Sequence, residues 1–172
     1  MKSPTFVALD FETADYGRDS ACAVGIVKVS NLRIAHEASY LIRPPRKTFH
    51  FSYLHGITWD HVADKPNFRR IWPGILPVLG DADFLAAHKA SFDRSVLEAC
   101  CEAARIRPPD LGFLCTMVLA RQVWGIYPTR LPDVCRCLRL RLEHHDPLSD
   151  ARACAKIVIK AIKEGIELDG WT

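Results

Sequence analysis

Apolar and polar positions change their rhythm about a third of the way along the chain. Thr5 to Phe11 is an apolar, β-prone run, and period-two alternation resumes in Ala21–Ser30 and Arg33–Ile42, with Asn31-Leu32 offering a tight turn between them. From about Thr58 the spacing becomes helical. Phe68, Ile71, Trp72, Ile75 and Leu79 fall on one face, while Pro73 and Pro77 predict a kink or break in that segment. Asp83–Ala87 reads as a short buried strand. Ser91 is the expected N-cap of a helix that buries Val96, Leu97, Cys100 and Cys101, ended by Arg107-Pro108-Pro109. Short helices are expected near Thr116–Trp124 and Pro132–Leu138. A last helix follows, capped by Asp146 with Pro147 in its first turn, and its apolar stripe is Ala151, Cys154, Ala155, Val158 and Ile162. Strands thus come first and helices later, with one buried strand among them.

Length and charge narrow the picture. At 172 residues, half of them apolar and a quarter charged, the chain suits one domain over 1–172 with an ample core. There is no repeat and no low-complexity segment. A formal charge of +3 is too small to announce a nucleic-acid binder by itself. Seven cysteines, without a CxxC pair, read as small core hydrophobes in a reducing compartment and not as a disulfide frame or zinc site. Met1-Lys2-Ser3-Pro4 lacks the apolar stretch of a signal peptide, and no run approaches a membrane span. These features make a cytoplasmic protein, without a membrane partner, the expectation.

The candidate chemistry lies in three short segments. Asp10 and Glu12 stand two apart in the first strand, so they share a face while Phe11 points to the other. Asp93 falls at the start of a helix, where the helix dipole favours its charge. His145 immediately precedes the last helix and Asp150 lies about one turn into it. Each of these alone has an ordinary reading, as a solvated strand residue or a capping carboxylate. Their joint occurrence changes that. Four carboxylates in apolar surroundings cost several kcal/mol unless something offsets them, and two divalent cations would balance a charge near minus four. That arithmetic points to a two-metal phosphodiesterase site. The loop Arg43-Pro44-Pro45-Arg46-Lys47, basic and stiffened by proline, reads either as a phosphate contact or as a solvated loop.

These segments resemble the DnaQ-like 3′–5′ exonucleases of the DEDDh class, the family of proofreading epsilon subunits of bacterial DNA polymerase III. The DxET motif stands as Asp10-Phe11-Glu12-Thr13, the Phe-Asp motif as Ala87-His88-Lys89-Ala90-Ser91-Phe92-Asp93, and the H-x4-D motif as His145 to Asp150. Leu54-His55-Gly56-Ile57-Thr58 looks like the family's HGI-type substrate loop. The likeness covers a core of about 5–162. It implies an α/β fold, a ribonuclease-H-like mixed β-sheet flanked by helices, with Asp10 and Glu12 on the central strand. It also implies two Mg²⁺ or Mn²⁺ ions on Asp10, Glu12, Asp93 and Asp150, with His145 as general base. Thr13, His55, Gly56, Ile57 and Phe92 would meet the terminal nucleotides of a single-stranded 3′ end, Phe92 being equally readable as a core aromatic.

Two departures and several open points remain at this stage. Many relatives carry Asn where this chain has Lys89, which accepts no hydrogen bond but can approach a phosphate. The chain stops shortly after the last helix, so the resemblance implies a stand-alone nuclease or a core without the polymerase-docking tail. Single-stranded DNA is the favoured substrate, with RNA trimming or a non-catalytic nucleic-acid-binding module as alternatives. Protein partners and oligomeric state are not readable. Of the adjacent pair His144 and His145, only the second keeps the motif spacing, and His144 is expected to point to a different side.

Overall fold

The computed structural model describes residues 3–168 and 170–171. Met1 and Lys2, part of the segment behind the localisation expectation, and Asp169 and Thr172 lie outside the described residues. Among the described residues the chain forms five strands and seven helices. The strands are β1 (Phe6–Thr13), β2 (Ala21–Ser30), β3 (Arg33–Leu41), β4 (Phe84–Ala87) and β5 (Phe113–Cys115). The helices are α1 (Ser52–His55), α2 (Trp59–Val62), α3 (Phe68–Leu79), α4 (Ala90–Ala104), α5 (Thr116–Trp124), α6 (Leu131–Leu138) and α7 (Pro147–Lys163). None of these helices is long and apolar enough to cross a membrane.

The strands make one mixed sheet in the order β3-β2-β1-β4-β5. β1 runs antiparallel to β2 and parallel to β4, so it is central and supported on both edges. The alternation along β1 sorts its side chains into two apolar layers. Phe6 and Ala8 pack with α5, α6 and α7, whereas Val7, Leu9 and Phe11 pack with α3 and α4. Burial of this kind is worth about 25 cal/mol per Å². It clamps β1 between helices on both faces, and that clamp gives the site a rigid floor.

Three local expectations need correction. Pro73 and Pro77 do not break α3, which runs unbroken for 12 residues. Both prolines are exposed and lie four apart on the solvent face, where water can serve the carbonyls that lose an intrahelical donor. Ser91 is not the N-cap of α4. The helix starts at Ala90, two residues earlier than such a cap would set it, and is entered through Lys89 in the left-handed conformation (φ 61°, ψ 54°), with no side-chain cap. The third concerns the basic loop: Arg46 is bound to Asp15 and Asp19, so it pins the β1–β2 connection instead of offering itself to a phosphate. The short α1 and β5 were not anticipated, being too brief to set up a period. The cysteines are free thiols, five of them buried, as core hydrophobes would be.

Candidate active site

Three elements converge at one end of the sheet. β1 presents Asp10 and Glu12 on the face covered by α7. The first turn of α4 carries Asp93, and the first turn of α7 carries Asp150. A glycine lets them meet. Gly25 pairs with Asp10 across the β1–β2 ladder, and a Cβ there would stand 2.1 Å from the Pro147 carbonyl oxygen. The start of α7 therefore rests directly on strand backbone beside Asp10. The Asp146 side chain accepts from the Leu148 and Ser149 amides and fixes where that helix begins, as the sequence pattern predicts.

The result is a dense cluster of acids. One carboxylate oxygen from each of Asp10, Glu12 and Asp150 lies within 4.8 Å of the others. Asp93 is 1% exposed, and its Oδ1 accepts from the Phe11 amide at 2.9 Å, which ties α4 to the central strand. Asp150 is 3% exposed. Its Oδ2 accepts from the His145 amide, while its Oδ1 is buried without any partner. Burial raises the pKa of all four acids, and neighbouring carboxylates add to it at each site. Glu12 is pushed up to about 8 and Asp93 to about 7. Asp10, repelled by Asp93, Asp150 and Glu12, is raised well above the carboxylate range.

Both histidines of the adjacent pair join the cluster. His145 Nδ1 lies 4.0 Å from Glu12 Oε1, and burial followed by the charges of His144 and His55 lowers its pKa. His144 corrects the expectation that it faces away. Its Nδ1 sits 2.9 Å from Asp150 Oδ2, and its ring stacks on His145 with centroids 3.8 Å apart. The cause is backbone geometry. His145 has φ 68°, in the left-handed region, and this turns two consecutive side chains to the same side. Histidine enters this region more readily than most residue types, but its presence alone does not mark where the chain bends.

The expected substrate residues divide into fixed and exposed ones. His55 Nδ1 accepts from the Ile57 amide, so its Nε2 carries the proton and donates to the Thr13 carbonyl. Burial lowers its pKa, which keeps that arrangement neutral. The loop is thereby stapled to the end of β1, with Gly56 (φ 72°) closing α1 and exposed. Thr13 is buried, Ile57 is half-buried, and Phe92 is half-buried against the core with the Arg18 guanidinium 4.8 Å above its ring. His88, not singled out in the sequence, bridges Thr116 and the Thr129 carbonyl and so ties β4 to α5 and to the loop before α6.

Comparison with known proteins agrees with this architecture. The family RNase_T, described as Exonuclease, matches residues 7–158. Exodeoxyribonuclease 10 of Escherichia coli is 30% identical over 165 residues, covering 86% of this chain and 65% of that protein. A PolC-type DNA polymerase III of Thermotoga petrophila is 28% identical over 95% of this chain, which spans only 12% of the polymerase. The chain thus spans less than two thirds of either relative. Among solved structures, exonuclease X in complex with 5′ overhanging duplex DNA superposes with a TM-score of 0.73 at 26% identity, covering 97% of this chain and 94% of that one. The nuclease domain of 3′hExo, a DEDDh family member bound to rAMP, has the same fold, with a TM-score of 0.80 at 17% identity and 96% coverage of both chains. The mixed sheet with flanking helices is ribonuclease-H-like in all of them. On the match over residues 7–158, this chain belongs to the RNase_T exonuclease family.

Proposed function

We propose that the protein is a metal-dependent 3′–5′ exonuclease that releases nucleoside 5′-monophosphates from single-stranded DNA ends. The observation that carries the reading is the meeting of Asp10, Glu12 and Asp150 within 4.8 Å, with the charge of Asp93 on α4 acting on Asp10 and Glu12 and repelled by that of Asp150, and with Asp150 Oδ1 buried without a partner among the described residues. Such an atom in such company fits a metal ligand. The donors on the acids are all oxygen, which suits Mg²⁺ or Mn²⁺ better than zinc. Asp10, Glu12, Asp93 and Asp150 would hold the ions. Divalent cations supply charge neutralisation for the phosphodiester and its leaving oxygen.

The chain's own residues do the rest. His145, kept neutral by its lowered pKa, takes a proton from the attacking water at an imidazole nitrogen. Glu12, 4.0 Å from Nδ1, steadies the imidazolium that forms. The water oxygen bonds to phosphorus, the bond to the 3′-oxygen breaks, and that oxygen leaves on the shortened strand. Thr13 and the loop 55–57 enclose the terminal nucleotide, with Phe92 at its side. The preference for DNA is supported by the relatives above 25% identity, one called an exodeoxyribonuclease and one solved with DNA.

The test is hydrolysis of 5′-labelled DNA and RNA oligonucleotides in Mg²⁺ or Mn²⁺. Stepwise shortening from the 3′ end, resistance of a blocked 3′ terminus and complete arrest by chelator are expected. Activity undiminished in excess chelator, or cleavage of circular single strands at a comparable rate, would sink the proposal.

A further inference from the structure

A cavity of about 630 Å³ opens from the acid cluster, and none of residues 55–57 is part of its lining. Asp10 and Asp150 form its inner end, while Lys89, Arg121, Tyr127 and Thr129 line the rest. It lies over the β4 side of the central strand, between the entry to α4 and the loop that joins α5 to α6. Its charge changes sign along its length. Among the described residues neither Lys89 nor Arg121 is paired with a carboxylate. Lys89 is exposed. Arg121 is held from behind, its Nε donating to Thr129 Oγ1 at 2.7 Å, and its guanidinium lies 5.6 Å from the centre of the Tyr127 ring. Tyr127 is 73% exposed, a large aromatic face that the fold leaves uncovered. Thr129 is buried, and its carbonyl bonds His88, so the platform beneath Arg121 is rigid.

We infer that this cavity is a second nucleic-acid subsite, which holds the nucleotides on the 5′ side of the scissile phosphate: Lys89 and Arg121 take their phosphates and Tyr127 stacks on a base. The inference rests on the exonuclease reading and adds to it the track of the strand. A terminal nucleotide seated against Thr13 and the loop 55–57 puts the scissile phosphate over the acids. The strand must then leave across Asp10 and Asp150, and the cavity is what it meets there. Two unpaired cations beside an exposed ring are the ingredients of sequence-tolerant single-strand binding, charge for the backbone and a π-face for any base. Lys89 thereby acquires a purpose: in a left-handed position that an asparagine would occupy at lower cost, it offers a cation.

The experiment uses two substrates and one binding probe. The p-nitrophenyl ester of thymidine 5′-monophosphate presents a terminal nucleotide with nothing on its 5′ side, whereas an oligothymidylate fills both regions. For Lys89→Asn, Arg121→Gln and Tyr127→Ala, kcat/KM on the oligonucleotide should fall about tenfold relative to each variant's own kcat/KM on the ester, through KM. The probe is a 5′-fluorescein phosphorothioate oligothymidylate, followed by anisotropy across a salt series in Mg²⁺. Lys89→Asn and Arg121→Gln should each flatten the slope of log K against log[salt] by about 0.7, whereas Tyr127→Ala should weaken binding by roughly tenfold at constant slope. Lys89→Asn guards against a folding artefact, because asparagine suits the left-handed backbone at this position better than lysine does. Wild-type affinity and slope in both Lys89→Asn and Tyr127→Ala would overturn the inference. Binding that follows the expected pattern in a protein that hydrolyses neither substrate would overturn the exonuclease reading and leave the subsite standing.

Discussion

The two helices that bring acids to the central strand start in opposite ways. α7 begins with a well-made cap: Asp146 takes two amides and Pro147 fills the first turn. α4 begins with no cap at all, entered through a strained lysine. The acids they deliver are opposite too. Asp93 on α4 is already bonded to the Phe11 amide, so part of its job is to hold the fold. Asp150 on α7 keeps one buried oxygen unused. The securely capped helix carries the acid with an unused oxygen. Both acids are held by hydrogen bonds, Asp93 through the Phe11 amide and Asp150 through the His145 amide and His144, and they differ in that only Asp150 keeps a buried oxygen without a partner among the described residues.

The largest expected effect erases the difference. Asp93→Asn and Asp150→Asn should both reduce hydrolysis by roughly 10³-fold or more, the weight of several kcal/mol of charge stabilisation. His145→Ala should cost about 10²–10⁴-fold and abolish the low-pH limb of the rate profile, as loss of a general base does. His144→Ala should cost less, about 10–100-fold, as loss of a partner of a ligand does. Its effect should appear in the Mn²⁺ concentration needed for half-maximal rate. If His144→Ala leaves that requirement unchanged, the contact with Asp150 is incidental.

Stability should restore the difference. In chelator, Asp93→Ala leaves the buried Phe11 amide without an acceptor and should cost about 1–3 kcal/mol, with Asp93→Asn recovering most of it. Asp150→Asn removes a repelled charge and should raise the melting temperature instead. Equal destabilisation by Asp93→Ala and Asp150→Asn would show that the two acids are not divided in this way.

A smaller effect follows from protons. Glu12 at about 8 and Asp93 at about 7 stand above their ordinary values of 4.5 and 3.8. The folded chain then keeps protons that the unfolded chain has already released. The contribution of these two acids to stability in chelator is fully present below about pH 4 and declines as pH rises toward 8, and it is isolated by comparing the wild type with Glu12→Gln. Mg²⁺, which binds the ionised acids, should counter that decline and raise the melting temperature most at the alkaline end. Thermal melts across this range with and without cation measure both. A Glu12→Gln variant whose stability follows the same course as the wild type from pH 5 to 8 would contradict the assignment of raised values.

The smallest effect tests the poor cap. Lys89→Asn should stabilise the protein by up to about 1 kcal/mol, since asparagine tolerates the left-handed conformation at lower cost. Chemical denaturation would register it as a shifted midpoint at constant slope.

What was legible in the sequence follows the same division. β1, β2 and β3, the stripe of α7 and its Asp146 cap were readable because period and capping chemistry are local properties. So were the acids, from their order along the chain. The entry to α4 was misplaced because a left-handed lysine breaks the rule that favours asparagine or glycine there, and Ser91 offered a false cap. The direction of His144 was missed because its neighbour His145, just before α7, also stands in the left-handed region. The fate of Arg46 was missed because its partners Asp15 and Asp19 lie across a loop, where no periodicity links them. Pro73 and Pro77 misled because the rule about proline concerns buried carbonyls, and these face water.

Gly25 sets the gauge of the whole site. With no side chain between β2 and the start of α7, the gap across which Asp10 and Asp150 face each other is fixed by main chain resting on main chain. A gap set by a leucine or a phenylalanine would breathe with every rotamer change and shift with every repacking of the layers. A contact without rotamers has nothing to readjust. The two apolar layers are free to exchange one residue for another of similar volume, and the acids above them keep their spacing, because the dimension that matters was never assigned to a side chain.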